Sequence, residues 1–310
     1  MTTASAFLDH IDPNLVCHAH AQGVRVVRSA PFPTQNRTAL LSDPKVRAAW
    51  VAVWMGRIKA QGIDGLTLDI EQYTGLPAPL TALVTELYTA MKAHNPHLQL
   101  SFALGIFPDG QASSYNHADL SKVLDFIIPM CYDEPWGSKV AAANAPLASL
   151  KAGVAQYAKR GVSASKLVMG LPWYGWDYPC TTNSSTTSTS GGLAPCNVSA
   201  PPGRDWYGWA TQVGYADIVT TLHSPAVSGV EHTDNATVTR WFEYAKPGGA
   251  GVADAGRHQL WFDDPTTLEV KYAACKEMGL RGVGFWTANF AGTAQGPPMW
   301  AAITKGFPSS

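Results

Sequence analysis

Asp64-Gly65-Leu66-Thr67-Leu68-Asp69-Ile70-Glu71 is the stretch on which the reading of the fold turns. Apolar and polar residues alternate over a strand-length run, the pattern of a buried β-strand. Successive side chains on a strand point to opposite faces. Thr67, Asp69 and Glu71 therefore share one face, and Leu66, Leu68 and Ile70 share the other. Two carboxylates two residues apart, at the end of an otherwise apolar strand, are costly to bury without a use. Their like charge pushes at least one pKa upward, as a general acid requires. The same spacing also suits an acidic strand end facing water, or a helix cap.

Around this strand the sequence alternates. Val24–Ser29 reads as a strand, and Asp43 followed by Pro44 reads as a helix start, with Asp43 as the cap. Val46, Trp50, Val53 and Trp54 give that helix an apolar stripe, and Gly62 ends it. Leu80, Leu83, Val84, Leu87 and Met91 form a second helical stripe. Leu98–Gly105, Phe126–Asp133 and Leu167–Gly175 read as strands, with helices at Leu120–Leu124 and Leu147–Lys159 between them. From about Trp176 to Pro265 the sequence is loop-rich with scattered strand signals. A helix (Leu268–Met278) and a strand (Gly282–Asn289) then resume the alternation. The expected fold is α/β, a (β/α)8 TIM-type barrel with a loop-rich α+β insertion between strands 7 and 8. Residues 1–175 and 266–310 form the barrel and 176–265 the insertion. Taking Thr3–Phe7 as the second barrel strand and Val24–Ser29 as the third leaves no first strand. Met1–Asp12 also lacks the pattern of a signal peptide, so a truncated start is expected in preference to a cytosolic chain or a seven-strand variant.

Composition narrows the function. The chain has 310 residues, of which 46% are hydrophobic and 15% charged, enough for a substantial core. A formal net charge of -1 gives no general attraction to nucleic acid or anionic membrane. No apolar run reaches the roughly 20 residues that span a bilayer. Eleven Trp and eleven Tyr suit a large core, and some suit a cleft where flat rings stack on sugars. Cys17, Cys131 and Cys275 read as buried thiols. Cys180 and Cys196 bracket the Thr/Ser/Gly-rich run Thr181–Gly192, which a disulfide would staple. The cysteine spacing matches no zinc site, and no histidine falls near a barrel strand end with a carboxylate partner. No metal and no cofactor are expected. Sequons at Asn36, Asn183, Asn197 and Asn235, with the disulfide, favour the secretory pathway.

Barrel enzymes carry their chemistry at the C-terminal ends of strands. Here those ends hold Asp69 and Glu71, Tyr132 and Asp133, Trp173 and Tyr174, and Trp286 with Asn289. The run from Asp64 to Glu71 resembles the D-G-x-x-x-D-x-E signature of glycoside hydrolase family 18. Met130-Cys131-Tyr132-Asp133 resembles that family's M-x-Y-D, and Trp286 falls where the family keeps a Trp on the eighth strand. Ala141–Pro146, Lys166–Gly175 and Arg281–Asn289 look most like a lysosomal, chitobiose-cleaving branch of the family, as does Ala194-Pro195-Cys196 for the partner of Cys180. The resemblance implies a glycosidase acting on β-1,4-linked GlcNAc-GlcNAc by substrate-assisted catalysis, an exception to the two-carboxylate scheme. It implies Glu71 as acid/base, Asp69 on the acetamido N–H and Tyr132 on the acetamido oxygen. Asp133 would support the same sugar, with Trp286 as its floor and Tyr174 and Asn289 nearby. Thr67 departs from the pattern, because many members carry Asp there. The expected partner is a GlcNAc-containing oligosaccharide, bound by a monomer in a lysosome or outside the cell. An endo-acting chitinase and an inactive sugar-binding lectin are the alternatives. Retention of both acids argues against the lectin.

Overall fold

The computed structural model describes residues 2–6, 11–32, 36–71, 75–135, 138–181, 196–198, 210–225, 227, 231–247 and 256–308. Phe7, Gln72, Asn183, Ala194, Pro195 and the run from 182 to 192 lie outside them. The chain divides into two compact units, Met1–Met130 with Ala152–Val168, and Cys131–Lys151 with Met169–Ser310.

The first unit alternates strand and helix. Its elements are β1 (Thr3–Ala6), α1 (Pro13–Ala21), β2 (Arg25–Pro31), α2 (Arg37–Ser42), α3 (Pro44–Gln61), β3 (Gly65–Asp69), α4 (Pro77–His94), β4 (Gln99–Gly105), α5 (His117–Val123) and β5 (Phe126–Met130). β1 to β5 pair in chain order and all in parallel. Parallel strands joined by helices are buried on both faces, and β3 obeys this rule. Leu66, Leu68 and Ile70 are buried, and so is Thr67. Gly65 sits at φ +149, and a Cβ there would meet the Gln99 carbonyl oxygen at 1.9 Å, so only glycine lets β3 approach β4 at this point.

Helix starts and stops follow local chemistry. Asp43 accepts the Lys45 N–H as the cap of α3, Pro44 opens the helix, and Gly62 closes it in the left-handed conformation. The expected stripe of α4 is buried in full. The expected stripe of α3 needs correction. Val46 and Val53 are exposed, and the buried face is Arg47, Val51, Trp54 and Ile58. Arg47 is buried because Glu86 of α4 accepts from its guanidinium at 2.8 and 3.0 Å. A charged side chain paired in this way can lie inside a helix face.

The helix α6 (Leu147–Lys159) has its first five residues in the second unit and the rest in the first. The strands and helices of the second unit are β6 (Val168–Pro172), β7 (Tyr174–Pro179), β8 (Thr211–Gly214), α7 (Tyr215–Leu222), β9 (His232–Asp234), β10 (Thr239–Lys246), β11 (Gly256–Phe262), α8 (Pro265–Glu277), β12 (Gly282–Trp286) and α9 (Gly292–Gly306). The run Leu167–Gly175, expected as one strand, is two. The chain bends at Trp173, and β7 joins a separate antiparallel sheet in the order β8-β7-β11-β10-β9. That sheet takes up about half of the described residues in the region read as loop-rich. Its buried face holds Phe242, Leu260 and Phe262, with Asp177 receiving Tyr244 Oη at 2.8 Å and meeting His258 Nδ1 at 2.9 Å. β6 and β12 are neighbours. Trp173 stacks on Phe285 at 3.6 Å and donates its backbone N–H to the Trp286 carbonyl. Asp263 and Lys271 form a fully buried ion pair. The Cys180–Cys196 disulfide is formed, and Cys196 packs with Ala141, Tyr178 and Val198. Cys131 and Cys275 are buried as expected, but Cys17 is exposed on α1. Among the described residues no helix is long and apolar enough to cross a membrane.

The corrected face of α3 is open to test. Trp54 is 2% exposed and Val53 54%. Replacing Trp54 by alanine is expected to cost about 3–5 kcal/mol in urea unfolding. Replacing Val53 is expected to change stability by less than about 0.5 kcal/mol.

Candidate active site

In the first unit the acid pair stands where β3 ends. Asp69 is the last residue of the strand, Ile70 is buried behind it, and Glu71 is exposed two residues on. Burial, and then the charge of Glu71, push the Asp69 carboxyl up to about 6. Its Oδ1 is buried with no hydrogen-bond partner among the described residues. A carboxylate in this state holds a proton readily and lacks the donors that would make it a settled anion. Below it, the Thr67 hydroxyl lies 2.9 Å from Ser101 Oγ and accepts from Ser5 Oγ at 3.2 Å. A neutral hydroxyl chain thus occupies the position where a second Asp would add charge. The Tyr115 hydroxyl donates to the Ile70 carbonyl, which ties down the backbone between the two acids.

In the second unit Tyr132 and Asp133 lie just beyond Met130, where β5 ends, so they belong to the loop rather than to the strand expected to reach Asp133. Asp133 Oδ1 accepts from Tyr174 Oη at 2.6 Å and from Trp176 Nε1 at 3.1 Å. Burial raises the Asp133 carboxyl, and these two donors oppose the rise. Burial and the Asp133 charge push the Tyr174 hydroxyl far above its usual range, so it remains a donor. The rings of Tyr132 and Tyr174 meet edge to face at 6.1 Å. Trp286 ends β12 half-buried, held through its carbonyl by Trp173. Asn289 is not on that strand as expected. It is exposed in the turn Ala288–Ala291, whose Phe290 packs on Tyr174 at 5.8 Å.

Tyr132, Asp133 and Tyr174 therefore form one cluster, and Asp69 and Glu71 form one pair. Sequence reasoning missed Trp176, Asn144 and Tyr115. Trp176 had a usable signal, since Tyr174 and Trp176 share one face of a strand. Tyr115 had none, because its partner is a backbone carbonyl 45 residues away. A cavity of about 350 Å³ in the first unit is lined by Pro77, Tyr115, His117 and Arg160 among others, and by none of the expected site residues.

Comparison with known proteins shows the family. Residues 33–291 match the sequence model of Glycosyl hydrolases family 18. A Di-N-acetylchitobiase from Mus musculus is 35% identical over 303 residues, covering 93% of this chain and 76% of the relative. The Di-N-acetylchitobiase of Homo sapiens is 32% identical over 318 residues, covering 98% and 78%. Among solved structures, a chitinase from Chromobacterium violaceum ATCC 12472 superposes with a TM-score of 0.75 at 16% identity, covering 100% of this chain and 92% of that one. This likeness and the sequential parallel strands of the first unit give the (β/α)8 barrel type of fold expected from the sequence. With the family model spanning most of the chain, the protein is a glycoside hydrolase and belongs to glycosyl hydrolase family 18.

Proposed function

We propose that the chain hydrolyses β-1,4-linked GlcNAc-GlcNAc, in the chitobiose core of Asn-linked glycans and in chitooligosaccharides, by substrate-assisted retaining catalysis. The observation that carries this reading is the inequality of the two acids. Asp69 is buried with its carboxyl up at about 6, while Glu71 stands exposed beside it. The accessible acid suits the general acid that reaches the glycosidic oxygen, and the buried one suits its partner, which faces the acetamido group.

Glu71 protonates the glycosidic oxygen as the sugar's own 2-acetamido oxygen attacks the anomeric carbon. The bond to the leaving sugar breaks, and a cyclic oxazolinium forms. Glu71, now a carboxylate, takes a proton from water, which attacks the anomeric carbon and reopens the ring. Two inversions give net retention. Asp69 accepts the acetamido N–H and balances the charge of the ring. Tyr132 donates to the acetamido oxygen and orients it. Asp133 and Tyr174 support the sugar, Trp286 forms its floor, and Asn289 contributes a polar contact. The names of the mouse and human relatives support this substrate, and retention of Asp69 and Glu71 weighs against a lectin.

We also read residues 176–265 as an insertion in a barrel made by 1–175 and 266–310. The protein is read as a monomeric glycoprotein of the lysosome or the cell exterior. Asn36 and Asn235 of two sequons are exposed, and the Cys180–Cys196 disulfide suits an oxidising compartment.

Two outcomes are expected. GlcNAc oligosaccharides labelled at the reducing end should lose labelled GlcNAc, and Glu71→Gln should lower kcat by roughly 10²–10⁴ while still binding the sugar. Internal cleavage into dimers would favour a chitinase, and no turnover in a folded, sugar-binding chain would favour a lectin. The second outcome concerns stability. Between the ordinary Asp value of 3.8 and about 6, the folded chain holds a proton on Asp69 that the unfolded chain has released. Stability contributed by this group is therefore present below 3.8 and is lost as pH rises through about 6. Asp69→Asn should unfold about 1–3 kcal/mol later than the parent at pH 7, with the gap closing at acid pH, and should be catalytically impaired.

A further inference from the structure

Asp133 has φ +61, a left-handed conformation that a non-glycine residue adopts at a cost and keeps only when its surroundings hold it. Its holder is Asn144. This side chain is fully buried, at 0% exposure. Its Oδ1 accepts the Asp133 backbone N–H at 2.7 Å, and its Nδ2 donates to the Tyr174 carbonyl at 3.2 Å. Its own carbonyl accepts the Glu134 N–H at 3.2 Å. One buried amide thus ties the turn carrying Asp133 to the first residue of β7. The two bonds fix which end of the amide faces which partner, since only the oxygen accepts and only the nitrogen donates.

β7 then supplies Tyr174 and Trp176, and both donate to the same oxygen of Asp133, Oδ1. Asn144 therefore sets the backbone of Asp133 and also the distance to the strand that clamps its carboxylate. We propose that Asn144 is a positioning residue for sugar recognition. It locks Asp133 so that Tyr174 and Trp176 engage Oδ1 and Oδ2 is presented to the polar groups of an N-acetylated pyranose. The inference rests on the reading of Asp133 as a sugar-binding residue. Asn144 lies within Ala141–Pro146, a stretch that carries the family resemblance with no role assigned to any of its residues.

The test is a double-mutant cycle on kcat/KM for reducing-end-labelled GlcNAc trisaccharide, with thermal melts of every variant. The parent, Asn144→Ala, Asp133→Gly and the double variant are compared. Glycine takes φ +61 without strain, so Asp133→Gly removes the carboxylate and leaves the backbone path open. Asn144→Ala is expected to lower kcat/KM by about 10-fold or more. In the Asp133→Gly background the same change should cost nothing further in kcat/KM, although it should lower Tm in both backgrounds. Equal losses of kcat/KM in both backgrounds would overturn the inference, because a merely structural amide acts independently of the carboxylate. If Asp133→Gly retains full kcat/KM, the reading of Asp133 itself fails and the inference falls with it. If Asn144→Ala does not fold, the near-isosteric Asn144→Asp takes its place in the cycle and is read in the same way.

Discussion

A carboxylate held partly out of water at the end of an apolar strand penalises every folded copy of this chain. Asp69 is that carboxylate. Its pKa, up at about 6, measures how strongly its site disfavours the charged form. The surroundings increase the demand instead of relieving it. Oδ1 meets no donor among the described residues, and Thr67, Ser101 and Ser5 below it bond to one another. Strand β3 can bear this load because the rest of it is well packed. Leu66, Leu68 and Ile70 are buried, Gly65 lets β4 come close, and Tyr115 fixes the Ile70 carbonyl. A desolvation cost concentrated at one residue and borne by well-packed neighbours marks Asp69 as a candidate functional group.

The second unit solves a related problem by the opposite means. Asp133 is also buried, but Tyr174 and Trp176 both donate to it, and Asn144 holds its backbone. One acid has a buried oxygen with no donor among the described residues, and the other has an oxygen with two. The first state leaves an acceptor open to a donor brought by a ligand, and the second holds a carboxylate in one orientation, which suits the roles proposed for Asp69 and Asp133.

Much of this was legible in the sequence, because the signals were local. The alternation in β3, the Asp43-Pro44 cap and the stripe of α4 each lie within a few residues, and each was found where expected. The misreadings came from partners distant in sequence. Arg47 entered the buried face of α3 because Glu86, 39 residues on, takes its charge, and no helical periodicity carries that fact. The run Leu167–Gly175 is mostly apolar, and Pro172 is a local sign of the bend at Trp173 where the chain changes sheets. Asp133 and Asn144 are 11 residues apart, with no repeat to announce their contact. A helical context suits a buried thiol at Cys17, but α1 turns Val16 and Ala19 inward and leaves Cys17 exposed.

The central claim is that the acetamido group of the substrate, and not Asp69, attacks the anomeric carbon. It is tested most directly by turnover of GlcNAc disaccharides in which the N-acetyl group carries one, two or three fluorines. Each fluorine withdraws electrons from the acetamido oxygen while changing its size little. The account predicts that kcat falls steeply with each fluorine added, and that no sugar becomes covalently attached to the protein. A kcat insensitive to fluorination, with a glycosyl adduct on Asp69 detected by mass spectrometry, would contradict it.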